Sequence, residues 1–272
     1  MSPELSIVIM KIHFDLISDL HVDSWDEQFS WEGKPTAPYA VIIGDVSRDR
    51  ADVRPVLKEI AKNYLMTMYV DGNDEHRWNL EDLKTSYKTL KEDIGVIDNF
   101  IWLQDDCLVI DNVAFVGSNG WTSFDFADNG TYQENKTWFQ DTYKFSMYAS
   151  QQVEAMAASD AGFFCRTVRK LQRHPDITKI VLLSHFVPDV QLLKHDIHLD
   201  GSYRLNTTGN SWLTKCIDED LEKKIDTWCF GHYHSDIDQH IGRIRYVNNC
   251  RGRGGTDWSK PIYYPKRIEI EF

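Results

Sequence analysis

The sequence predicts a layered α/β protein, on three observations. Short apolar, β-branched runs alternate with segments of helical period. The runs break off into polar turns at Asp, Asn or His. The composition, 42% hydrophobic and 12% aromatic over 272 residues, supplies enough apolar surface for a sizeable core. Taken in order, "KIHFDLISD" (11–19), "YAVIIGD" (39–45) and "MTMYVDGN" (66–73) read as strands, as do "ITKIVLLSH" (177–185) and "DTWCFGH" (226–232). Between them, residues 51–65 set Val53, Val56, Leu57, Ile60 and Leu65 at helical spacing, with Pro55 near the first turn. Residues 79–94 do the same with Leu80, Leu83, Tyr87, Leu90 and Ile94.

Further along, residues 100–121 predict strands joined by an Asp111-Asn112 turn, and 239–250 predict a hairpin around Gly242. A long helix is expected over much of 145–173. The stretch from Trp121 to Tyr143 has no clear period and reads as an insertion or a loop near a site. No internal repeat, low-complexity tract or Pro/Gly-rich linker divides the chain, which favours one domain.

Charge and cysteine usage narrow the function. A net charge of −12 repels phosphate backbones, so general nucleic-acid binding is disfavoured unless a local basic patch or bound cations reverse the field. No run approaches the roughly 18 uncharged apolar residues that a membrane span needs. The opening "MSPELSIVIMKIHFDL" shows neither a basic n-region nor a small-residue cleavage site. Cys107, Cys165, Cys216, Cys229 and Cys250 are scattered, odd in number and without a CxxC pair, which predicts reduced thiols and a cytoplasmic location.

The chemistry lies at the strand ends. Asp19 and His21 ("SDLHVD"), Asp45 ("IIGDV"), Asn73 ("DGNDEH"), His185 ("LLSHFVP") and His232 with His234 ("FGHYHSD") each follow a predicted strand. One such residue alone is more often a packing or surface side chain than a ligand. In an open α/β sheet, however, loops leaving the carboxyl ends of strands converge on one crevice. Two divalent cations about 3.5–4 Å apart need a bridging carboxylate and mixed N and O donors, which Asp, His and Asn supply. The Gly before Asp45, Asn73 and His232 permits the tight turns that such convergence requires.

"DLH", "GD", "GN", "SH" and "GHYH", in this order and spacing over residues 13–251, resemble the calcineurin-like metallophosphoesterase superfamily, whose pattern is DxH, GD, GN(H/R)(E/D), a lone His and GHxH. "GWTSFDF" and "VNNCRGRGG" are also similar to a bacterial and viral branch of predicted phosphohydrolases. The resemblance implies a four-layered αββα sandwich of two mixed β-sheets flanked by helices. The residues themselves are read as one domain over 1–272, with 1–9 as an extension outside the core and 121–145 as a loop insertion near the site. The resemblance further implies that Asp19, His21, Asp45 and His234 hold one metal and Asp45, Asn73, His185 and His232 the other, with Asp45 bridging. A metal-bridging hydroxide would attack phosphorus in line while the cations and the Asn73 amide stabilise the phosphoryl oxygens. The implied cofactors are two divalent ions, Mn²⁺ in first place with Fe, Zn, Ni or Co as alternatives.

Two positions depart from the pattern. Position 74, commonly His in the superfamily, is Asp74, and an ionised carboxylate repels phosphate and donates no proton. Either His76 replaces the missing acid, or the enzyme does without one and prefers good leaving groups; a surface imidazole is the competing reading of His76. Position 48, where many relatives carry Asp, is Arg48. Arg48, Asp49 and Arg50 read as a solvated charge cluster, with a substrate-phosphate contact by Arg48 as the alternative. Arg251 and Arg253, in a Gly-rich loop, read equally as structural tethers or as bidentate phosphate donors. Lys194, His195, Asp196 and His198 form a polar rim cluster. The expected activity is hydrolysis of a phosphomonoester or phosphodiester of a small metabolite or nucleotide. A nuclease and a non-catalytic scaffold of the same fold are the alternatives.

Overall fold

A computed structural model describes residues 10–127, 131–143, 146–193, 205–256 and 259–272. The expected extension 1–9 and the rim cluster at 194–198 lie outside these residues.

Among the described residues, eleven strands form two mixed sheets. The first joins β1 (Lys11–Ser18), β2 (Tyr39–Ile43), β3 (Met66–Val70) and β4 (Phe100–Trp102), all parallel, with the last strand of the chain, β11 (Lys266–Glu271), antiparallel at the β1 edge. The second runs in the order β5 (Asp106–Ile110), β6 (Val113–Gly117), β7 (Lys179–Ser184), β8 (Ile225–Phe230), β10 (Ile244–Val247) and β9 (Asp238–Ile241). Within it β6, β7, β8 and β10 are parallel, and the two hairpin partners are antiparallel.

Strand alternation sends side chains to both faces of each sheet. Phe14, Leu16, Val41, Ile43, Met68 and Val70 meet Phe115, Val181, Leu183, Cys229 and Val247 in a dry layer between the sheets. The opposite face of the first sheet, with Ile17, Ala40, Ile42 and Tyr69, is covered by α1 (Arg50–Ala61) and α2 (Leu83–Ile94). The opposite face of the second, with Ala114, Val116, Ile180, Leu182 and Trp228, is covered by α4 (Met147–Leu171) through Phe164, Val168 and Leu171. The layers therefore stack helix, sheet, sheet, helix, as expected.

Local chemistry sets the helix ends. Asp49 caps α1 by accepting from the Ala51 amide, Asp82 caps α2 through the Thr85 amide, and Ser146 caps α4 through the Ala149 amide. Gly95 closes α2 at φ +55. Pro55 lies in the second turn of α1, near the first, where its missing N–H removes one helical hydrogen bond. Two expectations need correction. The stretch 121–143 is not all loop: Tyr132–Tyr143 forms a helix, α3, beside α4, with Phe139 in a satellite core with Trp121, Phe124 and Val153. Helical structure near 79–94 starts earlier than expected, as a 3-10 segment over Asp74–Asp82, because the turn carrying Asn73 winds directly into it. No described helix is long and apolar enough to cross a membrane.

Candidate metal centre

Each predicted ligand sits where a parallel strand runs out. Asp19 and His21 follow β1, Asp45 follows β2, Asn73 follows β3, His185 follows β7, and His232 and His234 follow β8. Because the two sheets stack, these carboxyl ends meet at one edge of the sandwich. The turns are forced: Asp19, His21, Asp45 and His232 hold φ values of +51, +44, +51 and +62. A non-glycine residue in that region costs on the order of 1–3 kcal/mol and persists only where its surroundings over-determine it. Here the loops are tied to one another. The Asp19 amide donates to the Gly44 carbonyl at 3.1 Å, the His21 amide to Asp45 at 3.0 Å and the Gly44 amide to Val70 at 2.7 Å.

Three overlapping groups of donors result: Asp19, His21 and His234 form the first, Asp45, His185 and His232 the second, and His21, Asp45 and Asp74 a third that joins them. In the first, His21 Nε2 lies 2.9 Å from His234 Nε2, and His234 Nε2 lies 3.3 Å from Asp19 Oδ1. In the second, His185 Nε2 lies 3.4 Å from Asp45 Oδ1 and 3.1 Å from Asn73 Oδ1. Asp45 stands between them: its Oδ1 faces His185 and its Oδ2 faces His21 Nε2 at 3.8 Å. Donors that share one cation at metal–ligand distances of about 2.0–2.2 Å stand roughly 3–3.5 Å from one another, so the spacing and the N/O chemistry fit divalent ions. All seven side chains expected to ligate are brought together.

The electrostatics follow from burial among opposite charges. Burial opposes ionisation of Asp19, yet the imidazoles of His234, His185 and His21 hold its carboxyl well below the usual carboxylate range. Asp45 is likewise held low: burial and the charge of Asp74 oppose it, and His185 and His21 outweigh them. Burial alone would lower His185, but the Asp45 carboxylate pushes it up to about 10, while burial and the charge of His185 push His232 down to about 3. At neutral pH the metal-free centre therefore holds a proton on His185 that a cation must displace. Metal titration at pH 7 is expected to release protons, and affinity to tighten as pH rises from 6 to 8. Calorimetry in buffers of different ionisation enthalpy measures this, and affinity flat over that range would refute it.

Around the ligands, three predicted residues take places that the sequence did not indicate. His76 is neither a surface imidazole nor aimed at the centre: it is fully buried, with Nδ1 2.8 Å from Ser86 Oγ and Nε2 3.0 Å from Asp71 Oδ2. Both ring nitrogens are engaged, which leaves none for a departing oxygen. Asp74 is buried against the centre. Its Oδ2 lies 3.2 Å from His21 Nδ1 and accepts from Arg48 Nε at 3.2 Å and from Arg253 Nη2. Burial opposes its ionisation, but His21, Arg253 and Arg48 hold it below the usual range. Arg48 is exposed, as a member of a solvated charge cluster would be, and its guanidinium also contacts Asp74 beside the donor groups. Arg251 turns away, paired with Glu27 and stacked 4.1 Å from the Trp25 ring, as a tether; Arg253 is the arginine of that loop that reaches the centre.

One positioning residue was passed over, although the (E/D) place of the GN motif marked it. Glu75 is fully buried and accepts from the amides of Asp45 (3.0 Å), Val46 (2.6 Å) and Gly72 (2.8 Å), clamping the "GD" turn to the "GN" turn. Burial, and then the charge of Asp45, push its carboxyl up to about 8 despite those three donors. Glu75→Ala leaves three buried N–H groups without a protein acceptor. At about 1–3 kcal/mol each, it is expected to destabilise the fold by at least about 3 kcal/mol. Urea denaturation measures it, and a loss below about 1 kcal/mol would show that the clamp is dispensable.

No protein-family model and no curated protein matches the sequence. Among solved structures, the chain is similar to phosphopantetheinyl hydrolase (PptH) from Mycobacterium tuberculosis, with 16% identity and a TM-score of 0.64, over 94% of this chain and 99% of that one. A chain assigned as a 5′-nucleotidase from Staphylococcus aureus aligns at 14% identity with a TM-score of 0.49, over 96% of this chain and 51% of that one. At such identities the first likeness is one of fold.

Proposed function

We propose that the protein is a metal-dependent phosphohydrolase that cleaves a phosphoester of a small metabolite or nucleotide. The observation that carries this reading is Asp45, whose two oxygens face two separate Asp/His donor groups at 3.4 and 3.8 Å. Packing alone gives no reason to bury several carboxylates and imidazoles in one crevice, with Asp19, His21, Asp45 and His232 at positive φ. The fold likeness to a phosphopantetheinyl hydrolase supports the same reaction class. Divalent ions bound by the two groups would supply Lewis acidity and a nucleophile drawn from water at neutral pH. The chain's own part is positional. Asp19 is locked by the His232 amide at 3.1 Å and by Cys250 Sγ at 3.1 Å, Asp45 Oδ1 accepts from the Asp74 amide at 2.9 Å, and Asn73 is held between His185 and Asp74 Oδ1. Such bonds keep donors in place before substrate arrives. The five cysteines are free thiols, which supports a reducing, cytoplasmic setting.

The test is hydrolysis of p-nitrophenyl phosphate and bis(p-nitrophenyl) phosphate by chelator-stripped protein with and without Mn²⁺. Turnover that returns with metal is expected, and the ratio of the two rates reports monoester against diester preference. Metal demonstrably bound without turnover of either compound would count against the hydrolase, and no metal binding at all would favour the scaffold.

A further inference from the structure

Asp74 and its arginines extend this site toward a second phosphate. In a chain of net charge −12, guanidiniums from two separate loops, Arg48 after β2 and Arg253 after β10, converge on one buried carboxylate oxygen. That oxygen is 3.2 Å from His21 Nδ1, so the arginines stand one side chain away from the donor groups. Arg77 Nη1 lies 3.9 Å from the other Asp74 oxygen. Arg48 and Arg253 are partly exposed, at 41% and 21%, while Asp74 is at 1%, so a buried carboxylate anchors guanidiniums whose side chains reach solvent. Each spends one N–H on Asp74 among its described contacts. A guanidinium has five, in a fork that matches phosphate oxygens. Two guanidiniums thus meet one carboxylate in a chain whose net charge is −12.

Among the described residues, the same arrangement turns no free acid toward the arginines. Among the described residues beside the donor groups, Asp74 accepts from two guanidiniums, His76 is turned into the core, and Glu75 is buried with its oxygens on the amides of Asp45, Val46 and Gly72. A leaving group that is stable as an anion suits such a site. An alcohol is close to water in acidity, with a pKa of about 15.7, whereas a phosphate monoester has its second pKa near about 6. A departing phosphate needs no acid, and fixed positive charge suffices for it.

We infer that the preferred bond is the phosphoric anhydride of a small diphosphate, with the terminal phosphoryl group at the two donor groups and the inner phosphate received by Arg48 and Arg253. The oxygen of water bonds to the terminal phosphorus, and the bond from that phosphorus to the bridging oxygen breaks. The electron pair stays on the bridging oxygen. The products are inorganic phosphate and a phosphate monoester, and the water proton passes to solvent. Asp74 is a positioning residue that holds the two guanidiniums.

The inference rests on the phosphohydrolase reading, and the test separates the two. With Mn²⁺-loaded full-length protein, kcat/KM is measured for ADP, AMP and p-nitrophenyl phosphate. ADP is expected to be cleaved to AMP and phosphate at least about 100-fold more efficiently than AMP, the equivalent of two charge-assisted contacts and a good leaving group. Arg48→Ala combined with Arg253→Ala is expected to lower the ADP to p-nitrophenyl phosphate ratio by at least about tenfold. In the wild-type protein, a series of aryl phosphates should slow steeply as leaving-group pKa rises. Equal rates on ADP and AMP, an unchanged ratio in a folded arginine variant, or a flat leaving-group series would each overturn the anhydride assignment while p-nitrophenyl phosphate turnover stands. Absence of turnover on every substrate would remove the phosphohydrolase reading and this inference with it.

Discussion

Asp45→Asn is expected to abolish metal-dependent turnover, lowering kcat/KM by at least about 10²–10³-fold, the scale seen when one preorganised electrostatic group is removed from a reaction centre. The amide keeps an oxygen for the Asp74 N–H, which Asp45 Oδ1 now accepts at 2.9 Å, so the turn itself survives. What is lost is the second oxygen: an –NH₂ replaces the carboxylate atom facing His21 at 3.8 Å, and it donates where a cation needs an acceptor. Metal content measured by plasma emission should fall from two ions to one or fewer, with near-native circular dichroism. A folded variant that keeps two ions and full turnover would remove Asp45 from the bridging place.

Gly72→Ala is expected to damage the centre without touching a ligand. A Cβ on Gly72 would stand 2.2 Å from Asp45 Oδ1, 2.4 Å from the Asp45 amide nitrogen and 2.9 Å from His185 Cε1. The obvious escape is closed, because the facing residue is Gly44, whose own Cβ position lies 2.4 Å from the Gly72 nitrogen, at φ +56. Two glycines meet because the "GD" and "GN" turns cross there. Since backbone has to move, a loss of about 3 kcal/mol or more is expected, at or beyond the usual range for overpacking, together with weaker metal binding. Gly242→Ala is the control: it has φ +60 but nothing within 4 Å, so only the left-handed strain of roughly 1–2 kcal/mol applies. Comparable losses in urea denaturation would mean that the crossing is slack.

Much of this was legible because strand ends have a physical signature. A β-branched run that stops at a polar turn announces both a buried strand and its end, as Gly44-Asp45 and Gly72-Asn73 do, and the other ligand candidates lie just past such strand ends. Elements whose pattern is local were equally readable: the Asp111-Asn112 and Gly242 hairpins and the long helix at Met147–Leu171. Strand β11 escaped notice because its apolar pair, Ile268 and Ile270, is interleaved with Arg and Glu that face solvent at a sheet edge. Helix α3 escaped because, although Tyr132, Phe139 and Tyr143 fall at i, i+7 and i+11 on one face, most of the residues between them are polar or charged; Phe139 is buried through contact with α4 and the 121–126 segment, which is a long-range property.

The sequence by itself determined the strand ends, the residue types there and hence the kind of chemistry, because hydrophobic period and turn chemistry are written in neighbouring residues. The tertiary structure alone decided which polar groups face one another. His76 and Asp74 differ by two positions in one turn, yet one is locked to Asp71 and Ser86 in the core and the other gathers Arg48 and Arg253 at the mouth. Arg251 and Arg253 likewise differ by two, and only the second reaches the centre. In a tight turn the direction of a side chain is set by backbone angles and by partners from distant segments, and neither is encoded in spacing along the chain.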